Sequence, residues 1–358
     1  MNHRTRIYVA VSATVALFLA VQIGALALIE PFYESEYQAV EDPQDPTNSF
    51  LYVAIILAAT ALMLGAFKYD AQWLIRALIV GVSVMLAWFV FAELVPPIVT
   101  VGSVNVAAGL ASVGVGLALL VHPEWYVIDA TGVLMGAGAA ALFGISFGLL
   151  PALLLLAVLA VYDAISVYGT EHMLDLAEGV MDLKIPVVLV VPLTLSYTYL
   201  ETTGPENIEE SAEKTSPQTD ANPTDGDEVV PSSSGPGPEP GLTPDPDAVE
   251  QTAESEGDRD FERDALFIGL GDAVIPTILV VSAAFFLETE PLEVPLIALN
   301  VPALGALLGT LVGLVVLMYM VIKGRAHAGL PLLNGGAIGG YLLGALASGV
   351  SIATALGF

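Results

Sequence analysis

The sequence contains no cysteine, which excludes thiol nucleophiles, disulfide staples and thiolate metal sites. Basic side chains are scarce. Ten Lys and Arg stand against 38 Asp and Glu, for a net charge of -28. A chain of that sign repels nucleic acid, so nucleic acid is not expected as a partner. The four histidines, His3, His122, His172 and His327, are scattered over interfacial and loop positions, and there is no HExxH pattern. No zinc site, and no metal or other cofactor, is expected. Charge of either sign is rare, at 13% of residues, whereas 55% are hydrophobic. That balance does not fit a water-soluble globule.

The apolar residues come in blocks of about 20, the length a helix needs to cross roughly 30 Å of hydrocarbon. Nine such runs can be drawn, at 6–29, 50–67, 73–95, 98–121, 126–147, 149–168, 265–287, 297–322 and 331–356. The first is too long for a cleaved signal peptide and has no convincing cleavage site, so it counts as a span. Between the fifth and sixth, only Gly148 and Pro151 offer a turn. With nine spans, all ten bases fall on one side: Arg4, Arg6, Lys68, Arg76, Lys184, Lys214, Arg259, Arg263, Lys323 and Arg325. The positive-inside rule then places the N-terminus in the cytoplasm and the C-terminus outside. The expected fold is an all-α, multi-pass protein of the cell membrane with nine transmembrane helices.

Four parts follow from this reading: a six-helix part over 1–168, a connecting segment at 169–200, an acidic loop at 201–264, and a three-helix part over 265–358. The acidic loop carries 19 acids against Lys214, Arg259 and Arg263. Rich in Pro, Ser, Gly and Thr, it cannot bury enough apolar area to offset its ordering entropy and is expected to be a disordered cytoplasmic loop. Such acidity suits a salt-rich cytoplasm and a halophilic source. In the connecting segment, "TEHMLDLAEGVMDLK" at 170–184 has apolar residues at helical spacing and acids opposite, the pattern of an interfacial helix. "IPVVLVVPLTLSYTYL" at 185–200 is broken by Pro186 and Pro192. It reads as a buried extended segment, a re-entrant piece or a half-helix.

Two acids interrupt the apolar runs. Asp163 sits in "LLLLAVLAVYDAISVYG" and Asp272 in "DALFIGLGDAVIPTILVV". An ionised carboxylate in hydrocarbon is costly, so each intramembrane acid points to function. Counted along antiparallel helices, Asp163 lies about 14 residues from the outer face and Asp272 about seven from the inner, or roughly 21 Å and 10 Å at 1.5 Å per residue. Both then stand at similar depth near the cytoplasmic side. Two close carboxyls share one proton. The charged one can activate water, and the protonated one can polarise a peptide carbonyl or protonate the leaving amine. Gly269 and Gly271 clear space before Asp272 for a close backbone. The same acids would equally suit a proton- or cation-coupled transporter. Asp129 and Glu93, nearer the predicted interfaces, read as snorkelling or locally paired. Gly335, Gly336, Gly339, Gly340 and Gly344 form small-xxx-small rows suited to helix packing.

Tyr162-Asp163 in one span and Gly269-Leu270-Gly271-Asp272 in the next, with a long hydrophilic loop between, resemble the presenilin and signal peptide peptidase family of intramembrane aspartyl proteases. The resemblance extends over the spans from the sixth to the ninth, and with the N-in orientation it is nearest to an archaeal presenilin homologue. It implies that Asp163 and Asp272 are a catalytic dyad, with Tyr162, Gly269, Leu270 and Gly271 as motif neighbours. It also implies transmembrane peptide or protein substrates within the lipid bilayer. The prepilin-type peptidases share a GxGD motif, but their second acid and span arrangement differ, and no rhomboid-like Ser and His arrangement occurs. The family's Pro-Ala-Leu motif occurs literally at Pro151-Ala152-Leu153 and Pro302-Ala303-Leu304, both expected near the outer face. Its positional match is Pro331-Leu332-Leu333, which opens the last span after a basic loop and is expected to bind substrate. The sequence assigns no oligomeric state.

Overall fold

The structure is a computed structural model and describes residues 3–69, 71–102, 104–169, 187–192, 265–323 and 328–358. The segments read as an interfacial helix at 170–184 and an acidic loop at 201–264 lie outside the described residues, as do His172, His327, Lys184, Lys214, Arg259, Arg263 and Arg325. The described residues belong to one compact unit.

In chain order the elements are α1 (His3–Ala27), α2 (Ile29–Glu34), α3 (Thr47–Lys68), α4 (Gln72–Leu94), β1 (Thr100–Val101), β2 (Val104–Asn105), α5 (Val106–Val121), α6 (Trp125–Ser146) and α7 (Leu149–Gly169). There follow β3 (Val188–Pro192), β4 (Ala265–Gly269), α8 (Leu270–Phe286), α9 (Val301–Ile322), α10 (Gly329–Ala347) and α11 (Ile352–Ala355). Among the described residues, seven helices are long and apolar enough to cross a membrane: α1, α3, α4, α6, α7, α9 and α10. The protein is thus a mainly helical integral membrane protein. The other two runs read as full spans yield shorter apolar helices, α5 and α8. Their 16 and 17 residues reach about 24–26 Å.

Both shortenings have local causes. Residues 98–102, 104 and 105 do not join α5. Gly102, with φ of 65°, turns the chain, and β1 pairs with β2 in a small hairpin. Asn105 then caps α5, its Oδ1 accepting from the N–H groups of Ala107 and Ala108 at 3.2 and 3.4 Å. Residues 265–269, expected as the first turns of the seventh span, are instead β4, antiparallel to β3. The all-α expectation is corrected to that extent: two short two-stranded sheets stand among the helices. A run of alternating and β-branched apolar residues satisfies its backbone equally well as helix or paired strand, and hydropathy does not tell the two apart.

α6 is the most enclosed of the spans, with 67% of its apolar window buried, while α3 has 11% and faces outward. Ala140, Ala141 and Ile145 of α6 meet Leu279, Val280 and Val281 of α8, Leu156 of α7 and Tyr341 of α10 in one core. The turn between α6 and α7 falls at Phe147 and Gly148, while Pro151 sits in the first turn of α7. It is held from three sides. Gly148 N–H donates to Pro43 O at 2.7 Å, Ser282 Oγ to Phe147 O at 2.8 Å, and Ser49 Oγ to Pro151 O at 2.6 Å. Glu93 is locally paired, as expected, accepting from Ser35 Oγ at 2.7 Å.

α9 and α10 approach most closely, through glycine. A Cβ on Gly305, Gly309 or Gly313 would run into the backbone carbonyls of Gly340, Gly336 and Leu332 in turn. Only the Gly336, Gly340 and Gly344 row makes this contact; a Cβ on Gly335 or Gly339 would meet nothing within 4 Å. Without a hydrophobic drive between helices in lipid, such backbone contact is what draws them together. Asn300 fixes the start of α9. Its Oδ1 accepts from Ala303 N–H at 2.9 Å, and its Nδ2 donates to Ala283 O at 2.9 Å.

Gly309→Val is expected to cost about 3 kcal/mol through overpacking, whereas Gly339→Val should be nearly neutral. Thermal unfolding of the two variants in the same detergent checks this; equal midpoints would contradict the assigned packing face.

Candidate active site

Asp163 lies in α7, two turns before that helix ends. Asp272 lies in the first turn of α8, not seven residues into a helix as the hydropathy count suggested. The correction follows from β4: residues 265–269 are extended, and Gly269, with φ of -59° and ψ of 131°, is the N-cap. A carboxylate in the first turn of a helix faces unpaired N–H groups and the positive end of the helix dipole, which favours negative charge there.

The two acids come together, each only partly buried. The chain entering α10 joins them. Leu330 N–H donates to Asp163 Oδ2 at 3.1 Å. One residue earlier, a Cβ on Gly329 would lie 3.3 Å from Asp272 Oδ2. On the opposite side of the chain order, a Cβ on Gly269 would lie 3.5 Å from the same oxygen. Two glycines therefore keep side chains away from Asp272, and one backbone amide holds Asp163. Leu330 can donate because the first N–H groups of a helix have no intrahelical acceptor.

The remaining motif residues divide. Leu270 is buried among Phe18, Val21 and Leu189 and anchors the start of α8. Gly271 is exposed, with only Ile275 within 4 Å of a Cβ placed there. Tyr162 is 44% exposed, so its ring is not enclosed with the acids. Pro331, Leu332 and Leu333 form the first turn of α10, directly after the two residues that meet the carboxyls. Leu333 is fully buried beside Leu317 and Met318, while Pro331 and Leu332 are half-buried. The literal copies of the motif open other helices: Pro151 stands at the start of α7, twelve residues or about 18 Å before Asp163, and Pro302 at the start of α9.

Three contributors were missed from sequence. Gly329 and Leu330 act through missing side chain and backbone, which carry no chemical signature. Asn334, one turn on, is fully buried and donates from Nδ2 to Leu156 O of α7 at 2.9 Å. It ties α10 to the helix bearing Asp163, and its amide in an apolar run was a legible sign. The proline-broken segment is extended where it is described, at Val188–Pro192, and Leu270 N–H continues that pairing to Val187 O at 2.8 Å. Among the described residues, no group of three or more His, Asp or Glu side chains gathers as a metal site would require.

Comparison with known proteins bears on the whole chain. Two solved structures, both described as a presenilin family intramembrane aspartate protease and differing in crystal form, share 29% identity with this chain. One, in space group C222, has a TM-score of 0.58, over 94% of this chain and 99% of its own. The other, in P2, has a TM-score of 0.55, over 94% and 97%. A search of curated proteins finds no match. The family model described as signal-peptide peptidase, presenilin aspartyl protease matches residues 15–350. With the match spanning nearly the whole chain and both motif acids, this protein belongs to the signal-peptide peptidase and presenilin family of aspartyl proteases.

Proposed function

We propose that the protein hydrolyses peptide bonds of transmembrane segments within the lipid plane of the cell membrane, with Asp163 and Asp272 as the catalytic dyad. The observation that carries this reading is the shared lead-in to α10: Leu330 N–H holds Asp163 while Gly329 lies against Asp272. A pair held in one frame can share a proton across the reaction. The ionised carboxyl takes a proton from water as its oxygen attacks the scissile carbonyl carbon. The protonated carboxyl donates to the carbonyl oxygen, giving a neutral tetrahedral diol. Collapse of the diol breaks the C–N bond: the amine leaves with a proton from one carboxyl while a diol hydroxyl returns its proton to the ionised one, leaving a carboxylic acid, an amine and the dyad with its single proton.

A substrate helix must unwind first, because its carbonyls are bound within the helix. Val188–Pro192 with its partner strand, and the Pro331–Leu333 turn, are the parts suited to receive the extended segment. Leu333 contributes there by fixing the turn from beneath, since its side chain is buried. The nine-span topology, with α5 and α8 as short spans and all ten bases on the cytoplasmic side, belongs to the same proposal.

Asp163→Asn and Asp272→Asn are each expected to lower cleavage of a transmembrane peptide by at least about 10²-fold with unchanged helical circular dichroism. Purified full-length protein in detergent, with fragments read by mass spectrometry, is the assay. Retained turnover in either variant would remove the dyad model, and solute flux into proteoliposomes without cleavage would replace the protease reading with transport. Gly329→Val should also lose about 10²-fold, because its side chain enters the space beside Asp272, whereas Gly335→Val should cleave at the wild-type rate.

A further inference from the structure

Asp129 is a further buried carboxyl of an apolar span, and the dyad does not use it. It lies in the second turn of α6 and is 7% exposed. Its Oδ1 accepts from the backbone N–H of Val190, at the middle of β3, at 2.7 Å. Residue parity explains why that N–H is available. Val187 O accepts from Leu270 N–H, and Leu189 and Val191 follow it at intervals of two, opposite Ile268 and Leu266. Those odd-numbered residues therefore bond to β4, and Val188, Val190 and Pro192 point their backbone groups the other way. On that outer edge Pro192 has no N–H, and Asp129 takes the N–H of Val190.

The same face of α6 continues the contact. Gly132 and Gly136 follow Asp129 at helical spacing. A Cβ on Gly132 would lie 3.0 Å from Leu189, and one on Gly136 3.2 Å from Leu270 and 3.3 Å from Val274. One stripe of α6 thus receives β3 at Asp129 and Gly132 and the first turns of α8 at Gly136. β4 runs directly into Gly269 and Asp272, so any shift of β3 along its partner moves the acid.

We propose that Asp129 is a positioning residue, which pins β3 to α6 through the Val190 N–H and thereby sets the height at which β4 delivers Asp272 to Asp163. The proposal rests on the dyad reading for its effect on turnover, and on geometry alone for its effect on the sheet. An acceptor at Oδ1 is what the role needs, so the conservative variant should serve. Val190→Pro removes the donor but leaves the bonds to β4 intact, and Pro192 occupies the same edge two residues on.

The test uses purified full-length protein with a transmembrane peptide substrate, and hydrogen exchange of the peptide spanning 187–192. Asp129→Asn should keep turnover within about threefold of wild type, with β3 amides protected. Asp129→Leu and Val190→Pro should each lower kcat by about tenfold or more with KM little changed, and β3 amides should exchange faster. The double variant should be no worse than either single. Asp129→Leu with wild-type turnover and exchange would overturn the proposal, and so would Asp129→Asn as impaired as Asp129→Leu. Should Asp129→Leu not fold, Val190→Pro decides by the same readings. Were the wild type itself inert towards the peptide, the protease reading would fail, and exchange at 187–192 would still decide whether Asp129 holds the strand.

Discussion

A carboxyl group set among apolar helices is costly unless hydrogen-bond donors reach it, and backbone amides are donors that the fold itself supplies. For Asp163 and Asp129 the donors are backbone amides at places where regular structure begins or a strand edge is open. Leu330 N–H, unpaired at the start of α10, serves Asp163. Asp272 stands in the first turn of α8, toward the positive end of the helix dipole. The outward N–H of a strand serves Asp129. Each of the three acids is thereby tied to the point where an element starts or a strand edge is left open, and the architecture around them can be read as the means of bringing those points together.

Glycine makes that convergence possible. Gly305, Gly309 and Gly313 let α9 lie against the backbone of α10, which sets where the α10 entry falls. Gly132 and Gly136 let β3 and the start of α8 lie against α6. Gly269 and Gly329 leave the volume beside Asp272 without side chains. In lipid, where apolar burial gives little preference for one helix pair over another, contact this close supplies the specificity that a hydrophobic core supplies in water. The result is that the chain beside Asp272 presents backbone rather than side chains at Gly269 and Gly329.

The two halves of the dyad differ in what holds them. Asp163 rides on a long continuous helix, tied to α10 at two levels by the Asp163–Leu330 and Asn334–Leu156 bonds. Asp272 follows a strand, and its place is set by the β3–β4 register and by the face of α6 beneath it.

Hydropathy, charge and two short motifs were enough to show an integral membrane protein, the pair of acids, the helix-packing glycines and the family. These depend on quantities local to a segment: the cost of placing charge in hydrocarbon, the length of an apolar run, the residues on either side of an acid. The packing row among the glycines, the extended state of 188–192 and 265–269, the late start of α8, the roles of Gly329, Leu330 and Asn334, and the partner of Asp129 were decided only by tertiary structure. Each turns on which backbone group of one segment meets which of another. An amide N–H is the same in every residue but proline, so its partner leaves no trace in the letters of the chain.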